Sequence, residues 1–161
     1  MELNVEDDVA GFLGVKIERT KDSIVLTQVG LIERIITAMG LENAKKVRTP
    51  ATDQRLPKDE NGEPCNETFN YASVVGMLMY LAGSTRPDIS FAVHQCARYT
   101  HFPRHSHEVA LKHIGRYLLG TRDKCLIIKP TSEMKIDMYV DADYAGMWGY
   151  EEKDDPVCVK S

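Results

Sequence analysis

A chain of 161 residues, 43% of them hydrophobic and with a net charge of −4, is long and apolar enough to bury the core of one domain or two small ones. Its four cysteines, Cys65, Cys96, Cys125 and Cys158, form no CxxC pair and no dense framework, which excludes the usual zinc motifs and a disulfide-built secreted mini-protein. No window is apolar over the roughly 18 residues of a membrane span, and the acidic opening MELNVEDDVA is not a signal peptide, so a soluble intracellular protein, cytoplasmic or nuclear and with no membrane partner, is expected.

Gly11-Phe12-Leu13-Gly14 leads into Val15-Lys16-Ile17-Glu18, where apolar and charged residues alternate with the period of a half-buried strand. A polar turn at Thr20–Ser23 and the β-branched run Ile24-Val25-Leu26 predict the returning strand of a hairpin. Thr27 is the expected cap of a helix with Leu31, Ile32, Ile35, Ile36 and Met39 on one stripe and Gly40 as its left-handed stop. From Glu42 to Asn70 the periodicity disappears among Pro50, Pro57, Pro64 and charged residues, which predicts a long exposed connection and the best internal boundary.

Residues 71–121 read as three helices. The first buries Val74, Val75, Leu78, Leu81 and Ala82. Pro87 and Asp88 suit the first turn of a second helix, expected over Asp88–His101 with Ile89, Ala92, Val93, Cys96 and Ala97 inward. Ser106 is the expected cap of a third, with Val109, Ala110, Ile114, Tyr117 and Leu118 inward and Gly120 as its end. Beyond Thr121 the pattern turns to strands, first Cys125–Ile128 and then the alternation Met134, Ile136, Met138, Val140 against Lys135, Asp137, Tyr139, Asp141. The fold class is therefore α+β.

Charge is distributed unevenly. Residues 71–120 carry five Lys/Arg against two Asp/Glu, while both flanking regions are acidic, and all five histidines lie in this basic block. Arg98, Arg104, Lys112 and Arg116, with Tyr99, Phe102 and Tyr117 between them, are the residue types that neutralise phosphates and stack on bases, and equally those of an ordinary solvated helix face over a tyrosine core. The histidines match no zinc pattern, and Pro103 keeps His101 and His105 off one helix face. Asp141-Ala142-Asp143 sets two carboxylates at a strand end, able to hold magnesium or simply to end a solvated strand. No Ser/His/Asp order, nucleotide-binding glycine motif or EF-hand loop is present.

Taken in order, Phe12–Ile17 (FLGVKI), Leu26-Thr27-Gln28, Thr49-Pro50, Tyr71–Leu81 (YASVVGMLMYL), Thr85–Val93 (TRPDISFAV), His107, Lys112, Arg116-Tyr117-Leu118, Gly120-Thr121 and Asp141–Gly146 (DADYAG) resemble the C-terminal part of the reverse transcriptase region of copia-type LTR retrotransposon Pol polyproteins, running into ribonuclease H. The resemblance implies that residues 1–41 end the polymerase palm, with Phe12, Leu13 and Gly14 in the hairpin that steadies the primer terminus. It further implies a linker over 42–70, a thumb-like helical block over 71–121 that contacts the RNA/DNA template-primer duplex through Arg98, Arg104, Lys112 and Arg116, and an incomplete ribonuclease H-like sheet over 122–161. Asp141 would be its first metal-binding catalytic carboxylate.

The parent activity implied is RNA-directed DNA synthesis with magnesium, coupled to ribonuclease H. This chain holds neither the adjacent aspartate pair of the palm nor the other ribonuclease H carboxylates, so as given it is expected to be an inactive fragment, to need no cofactor, and to pair with the palm and fingers of the parent polyprotein. Two other readings stand beside this one, a non-catalytic helical interaction module and a magnesium-dependent nuclease using Asp141.

Overall fold

The computed structural model describes residues 11–52, 56–66, 68–129 and 138, and the first compact unit of the chain runs to Lys129. It is a mixed α/β unit. An antiparallel sheet has the order β1 (Gly11–Phe12), β2 (Val15–Arg19), β3 (Ile24–Thr27), β4 (Leu126–Ile128), and beside it stand four helices, α1 (Val29–Ala38), α2 (Tyr71–Ser84), α3 (Ser90–Ala97) and α4 (His105–Gly120).

The expected hairpin is β2–β3, with Ile17 opposite Leu26 and Arg19 opposite Ile24. β4 adds to its far edge, Ile24 opposite Ile128 and Leu26 opposite Leu126. Leu126–Ile128, placed by sequence at the head of the region 122–161, thus hydrogen-bonds with the hairpin. The free edge of β3 supplies a backbone ladder that its residue pattern does not advertise. Paired residues and alternate positions share a face, so Val15, Ile17, Ile24, Leu26, Leu126 and Ile128 lie on one side of the sheet.

The buried core is helical: Ile32, Ile35 and Ile36 of α1, Val74, Val75, Leu78 and Leu81 of α2, Val93 and Cys96 of α3, and Leu111, Ile114 and Leu118 of α4 all belong to it, and none of the residues of β2, β3 or β4 does. α1 closes with a Schellman motif. Gly40 adopts a φ of +63°, its N–H reaches the Thr37 carbonyl, and the Leu41 N–H reaches Ile36, whose side chain packs in the same core. Its N-cap is Gln28 and not Thr27, because Thr27 is still paired with Lys16 in the sheet.

α2 starts under a true cap, the Asn70 side chain accepting from the Ser73 N–H at 2.8 Å. The second helix is shorter than its sequence pattern. Pro87–Ile89 form a 3-10 turn, α3 ends at Ala97, and the Tyr99 N–H turns back to Cys96 while its ring and hydroxyl are held elsewhere. In α4 the N-cap is Arg104, and Ser106 lies within the first turn with its hydroxyl on Asp59. Val109, expected inward, is 53% exposed, and Leu111 is buried in its place, because Leu111, Ile114 and Leu118 keep the three- and four-residue spacing and Val109 falls off that stripe. No helix among the described residues is long and apolar enough to cross a membrane.

Candidate functional site

The connection between α1 and α2 is where the structure differs most from its sequence. The stretch, with no periodicity and three prolines, is exposed as expected, none of its described residues being buried, but it does not run free of the fold. Instead its described residues run as a strap along α4, from the C-terminal end of that helix to its N-terminus. The Val47 N–H reaches the Arg116 carbonyl, Arg116 Nε donates to Lys45 O at 2.7 Å, and His113 Nε2 lies 2.9 Å from Thr49 O. Further along, the His105 N–H donates to Glu63 O at 2.9 Å, Arg104 Nη2 to Glu60 O at 3.0 Å, and the Tyr99 hydroxyl to Leu56 O at 2.9 Å.

Two buried residues anchor this strap. His107 accepts the Arg104 N–H at Nδ1, 2.9 Å away, which leaves Nε2 to carry the proton and donate to Pro57 O at 2.8 Å. The ring lies flat on Tyr99, centroids 4.0 Å apart. Burial pushes its pKa below the ordinary 6.5, and the bond accepted at Nδ1 likewise requires the neutral form. Next to it, the carboxylate of Glu108 accepts from Lys112 Nζ (2.6 Å), the Asn66 N–H (2.9 Å), Cys65 Sγ (3.3 Å) and Thr68 Oγ1 (3.0 Å). Burial alone would raise this carboxyl, but the four donors outweigh it and hold it at about 2.

The opposite end of α4 carries a second network, built from the TRPD and YLLGT segments. Arg86, fully buried, forks onto Asp88 through Nε and Nη2 with both bonds at 2.9 Å, while Nη1 donates to Thr121 O (2.9 Å) and Nη2 also to Thr121 Oγ1 (2.8 Å). The Tyr117 hydroxyl donates to Asp88 Oδ2 at 2.7 Å and accepts from Lys124 Nζ at 2.9 Å. Burial would raise the Asp88 carboxyl, but the Arg86 fork and the Tyr117 hydroxyl leave it below its ordinary value. These residues lock the α2–α3 corner to the end of α4.

Of the residues singled out in the sequence, Leu13 and Gly14 have the most distinctive geometry. They are the two central residues of the β1–β2 turn, with φ of +49° and +78°, the left-handed pair that a two-residue hairpin loop demands. Glycine adopts that conformation readily; a leucine there costs on the order of 1–2 kcal/mol. Leu13 is 71% exposed, and its carbonyl oxygen accepts from the Tyr80 hydroxyl of α2 at 2.6 Å. A bulky apolar side chain is therefore held outward on a tight turn moored to a helix. Phe12 pairs with Val15 through the backbone.

Each of the four basic residues has a partner within the chain. Lys112 is bound to Glu108, with Thr68 beyond it at 3.4 Å, Arg116 and Arg104 hold strap carbonyls, and Arg98 lies against Tyr99 with Nη1 3.4 Å from Gln95 Oε1. Asp141 and Asp143 lie outside the described residues, and among the described residues no group of three or more His, Cys, Asp or Glu could hold a metal ion. Sequence reasoning missed Glu108 and His107 as anchors. The signal for Glu108 was available: residues 71–120 contain only two acids, Asp88 and Glu108, and Glu108 stands three residues before Leu111 on the apolar stripe.

What the described residues form is an α/β module with polar networks at both ends of α4 and one strained apolar tip presented outward. The chain is similar to the retrovirus-related Pol polyproteins of the Arabidopsis thaliana transposons RE2, 36% identical over 87% of this chain, and RE1, 35% over 91%. It is also similar to that of the Nicotiana tabacum transposon TNT 1-94, 39% identical over 83% of this chain. The matched stretch is 10% of the first two relatives and 11% of the third, so the chain spans about a tenth of their length. No protein-family model and no solved structure matches it. The chain belongs to the copia-type, retrovirus-related Pol polyproteins of transposons, corresponding to one segment of them.

Proposed function

We propose that this chain is a segment of a retrotransposon reverse transcriptase that contacts the RNA/DNA template-primer duplex, without carrying the chemistry itself. The hairpin is its primer-grip element and α2–α4 its thumb-like block. Synthesis, with magnesium, belongs to the palm and fingers of the parent polyprotein, and Asp141 would contribute the first carboxylate of a ribonuclease H site completed elsewhere. The observation that carries this reading is the tip: Leu13 sits in a costly left-handed conformation, exposed, with Tyr80 holding its carbonyl oxygen. Backbone strain of this kind clusters at ligand clamps, active sites and switch regions. An apolar residue at a hairpin tip suits the sugar faces of a duplex terminus, with charged contacts to phosphate supplied around it.

The test is the affinity of the whole chain for a short RNA/DNA hybrid over a salt series. Binding should weaken steeply with salt, as counterion release requires, and Leu13→Asn should lower the affinity while leaving the fold intact, because asparagine tolerates the left-handed turn. A second reading, a helical interaction module without a nucleic-acid role, is favoured by the commitment of Arg104, Lys112 and Arg116 to the strap and Glu108. Absence of hybrid binding even at low salt would decide for it.

A further inference from the structure

The loop between α3 and α4 holds a second feature, distant in sequence from the hairpin tip. Phe102 is 84% exposed, more than any other large apolar side chain among the described residues. It stands at a cleft of about 590 Å³ lined also by Pro64, Phe69, His101 and Arg104, a volume in the usual range of ligand sites.

The loop that presents Phe102 is fixed. At one side the Tyr99 and Thr100 N–H groups bond to Cys96 and Ala97, and the Tyr99 ring and hydroxyl are held by His107 and Leu56. At the other side Pro103 restricts the backbone and the His105 N–H is bound to Glu63. An exposed aromatic on such a loop has already lost the conformational freedom that binding would otherwise cost. Two cationic or protonatable groups share the cleft. Arg104 uses only Nη2, on Glu60 O, and its other guanidinium nitrogens, like the His101 ring, make no further hydrogen bond among the described residues.

We infer that this cleft binds an unpaired nucleotide of a single strand, the base stacked on Phe102 and the adjoining phosphate held by Arg104 and His101. A free aromatic face beside phosphate-binding groups is the combination single-strand sites use, and a duplex cannot satisfy it because its bases already stack on one another. An acidic peptide would engage Arg104 and leave Phe102 without a role. The inference rests on the nucleic-acid reading of the chain but uses a different surface from the hairpin tip.

The experiment measures binding of the whole chain to a single-stranded oligothymidylate of roughly five nucleotides, within the site sizes of single-strand binders, and in parallel to the RNA/DNA hybrid. Phe102→Ala should weaken single-strand binding about tenfold, the loss expected for one stacked base, and leave hybrid binding unchanged. Phe102→Trp should preserve single-strand binding, and Leu13→Asn should show the reverse pattern. Equal single-strand affinity for wild type and Phe102→Ala would overturn the inference, as would an acidic peptide displacing the oligonucleotide with the same dependence on Arg104 but none on Phe102. Hybrid binding without single-strand binding would overturn this inference and leave the template-primer reading standing; loss of both would remove both.

Discussion

The two ends of α4 are held by polar networks of different character. At the C-terminal end, Arg86 is permanently charged, fully buried and forked onto Asp88, and every partner belongs to a helix or its immediate flank. At the N-terminal end, His107 must stay neutral and Glu108 must stay ionised, and their partners lie mostly on an irregular strap. The first arrangement joins helix to helix and holds until Asp88 protonates, below the ordinary carboxylate range. The second joins a helix to a segment with no secondary structure of its own, and depends on protonation state. The residues that carry the family resemblance most specifically, TRPD and YLLGT, thus have partners within the fold, Arg86 and Asp88 with Tyr117 and Thr121.

Breaking the first network should have the largest effect. Arg86→Ala leaves Asp88 without its fork and Thr121 without a donor, and a loss of about 3 kcal/mol in urea unfolding is expected for removing a buried guanidinium and its charge-assisted hydrogen bonds to a carboxylate that is itself 34% exposed. Glu108→Gln keeps the volume but turns amide hydrogens toward donors, costing about 2 kcal/mol. Strap protection in hydrogen exchange should fall in this variant, whereas in Arg86→Ala the corner between α2 and α3 should open as well.

Acid should separate the two ends without mutation. The folded pKa of His107 lies below its unfolded value near 6.5, so its contribution is complete above that pH and is lost as pH falls below it. Glu108 and Asp88 also have depressed pKa values, and their contributions are present above the ordinary carboxylate values of 4.5 and 3.8 and are lost only below those, toward about 2 for Glu108. Amides of residues 56–63 should therefore exchange faster from mild acid onward, well before those of the α2–α3 corner. His107→Gln should remove that first step. The smallest expected effect is at the tip: Tyr80→Phe removes one exposed hydrogen bond and should cost about 0.5–1 kcal/mol, while Leu13→Asn should leave stability unchanged or raise it by up to about 1 kcal/mol by relieving the left-handed leucine.

The helices were legible in the sequence because their burial is written in side chains: Ile32, Ile35 and Ile36, or Leu78 and Leu81, recur at the spacing that puts them on one face. Gly40 likewise announced its turn. The strap was not legible because it is held mainly through the carbonyls of Lys45, Thr49, Pro57, Glu60 and Glu63, groups that every residue supplies and no pattern reveals. For the same reason the acceptors that Arg104, Lys112 and Arg116 find within the chain, Glu60 O, Glu108 and Lys45 O, could not be read from their spacing. The pairing of β4 with β3 escaped notice because strand register depends on which edge is open. Leu13 was singled out by resemblance, and only its backbone conformation and the bond from Tyr80 show what is unusual about it.

The central claim is that the hairpin tip touches the template-primer duplex, and crosslinking tests it most directly. A photoreactive residue placed at position 13 of the whole chain should crosslink to an RNA/DNA hybrid on irradiation, and the same group at the exposed Val109 of α4 should not. A hybrid that binds the chain yet crosslinks from position 109 and never from position 13 would contradict the account.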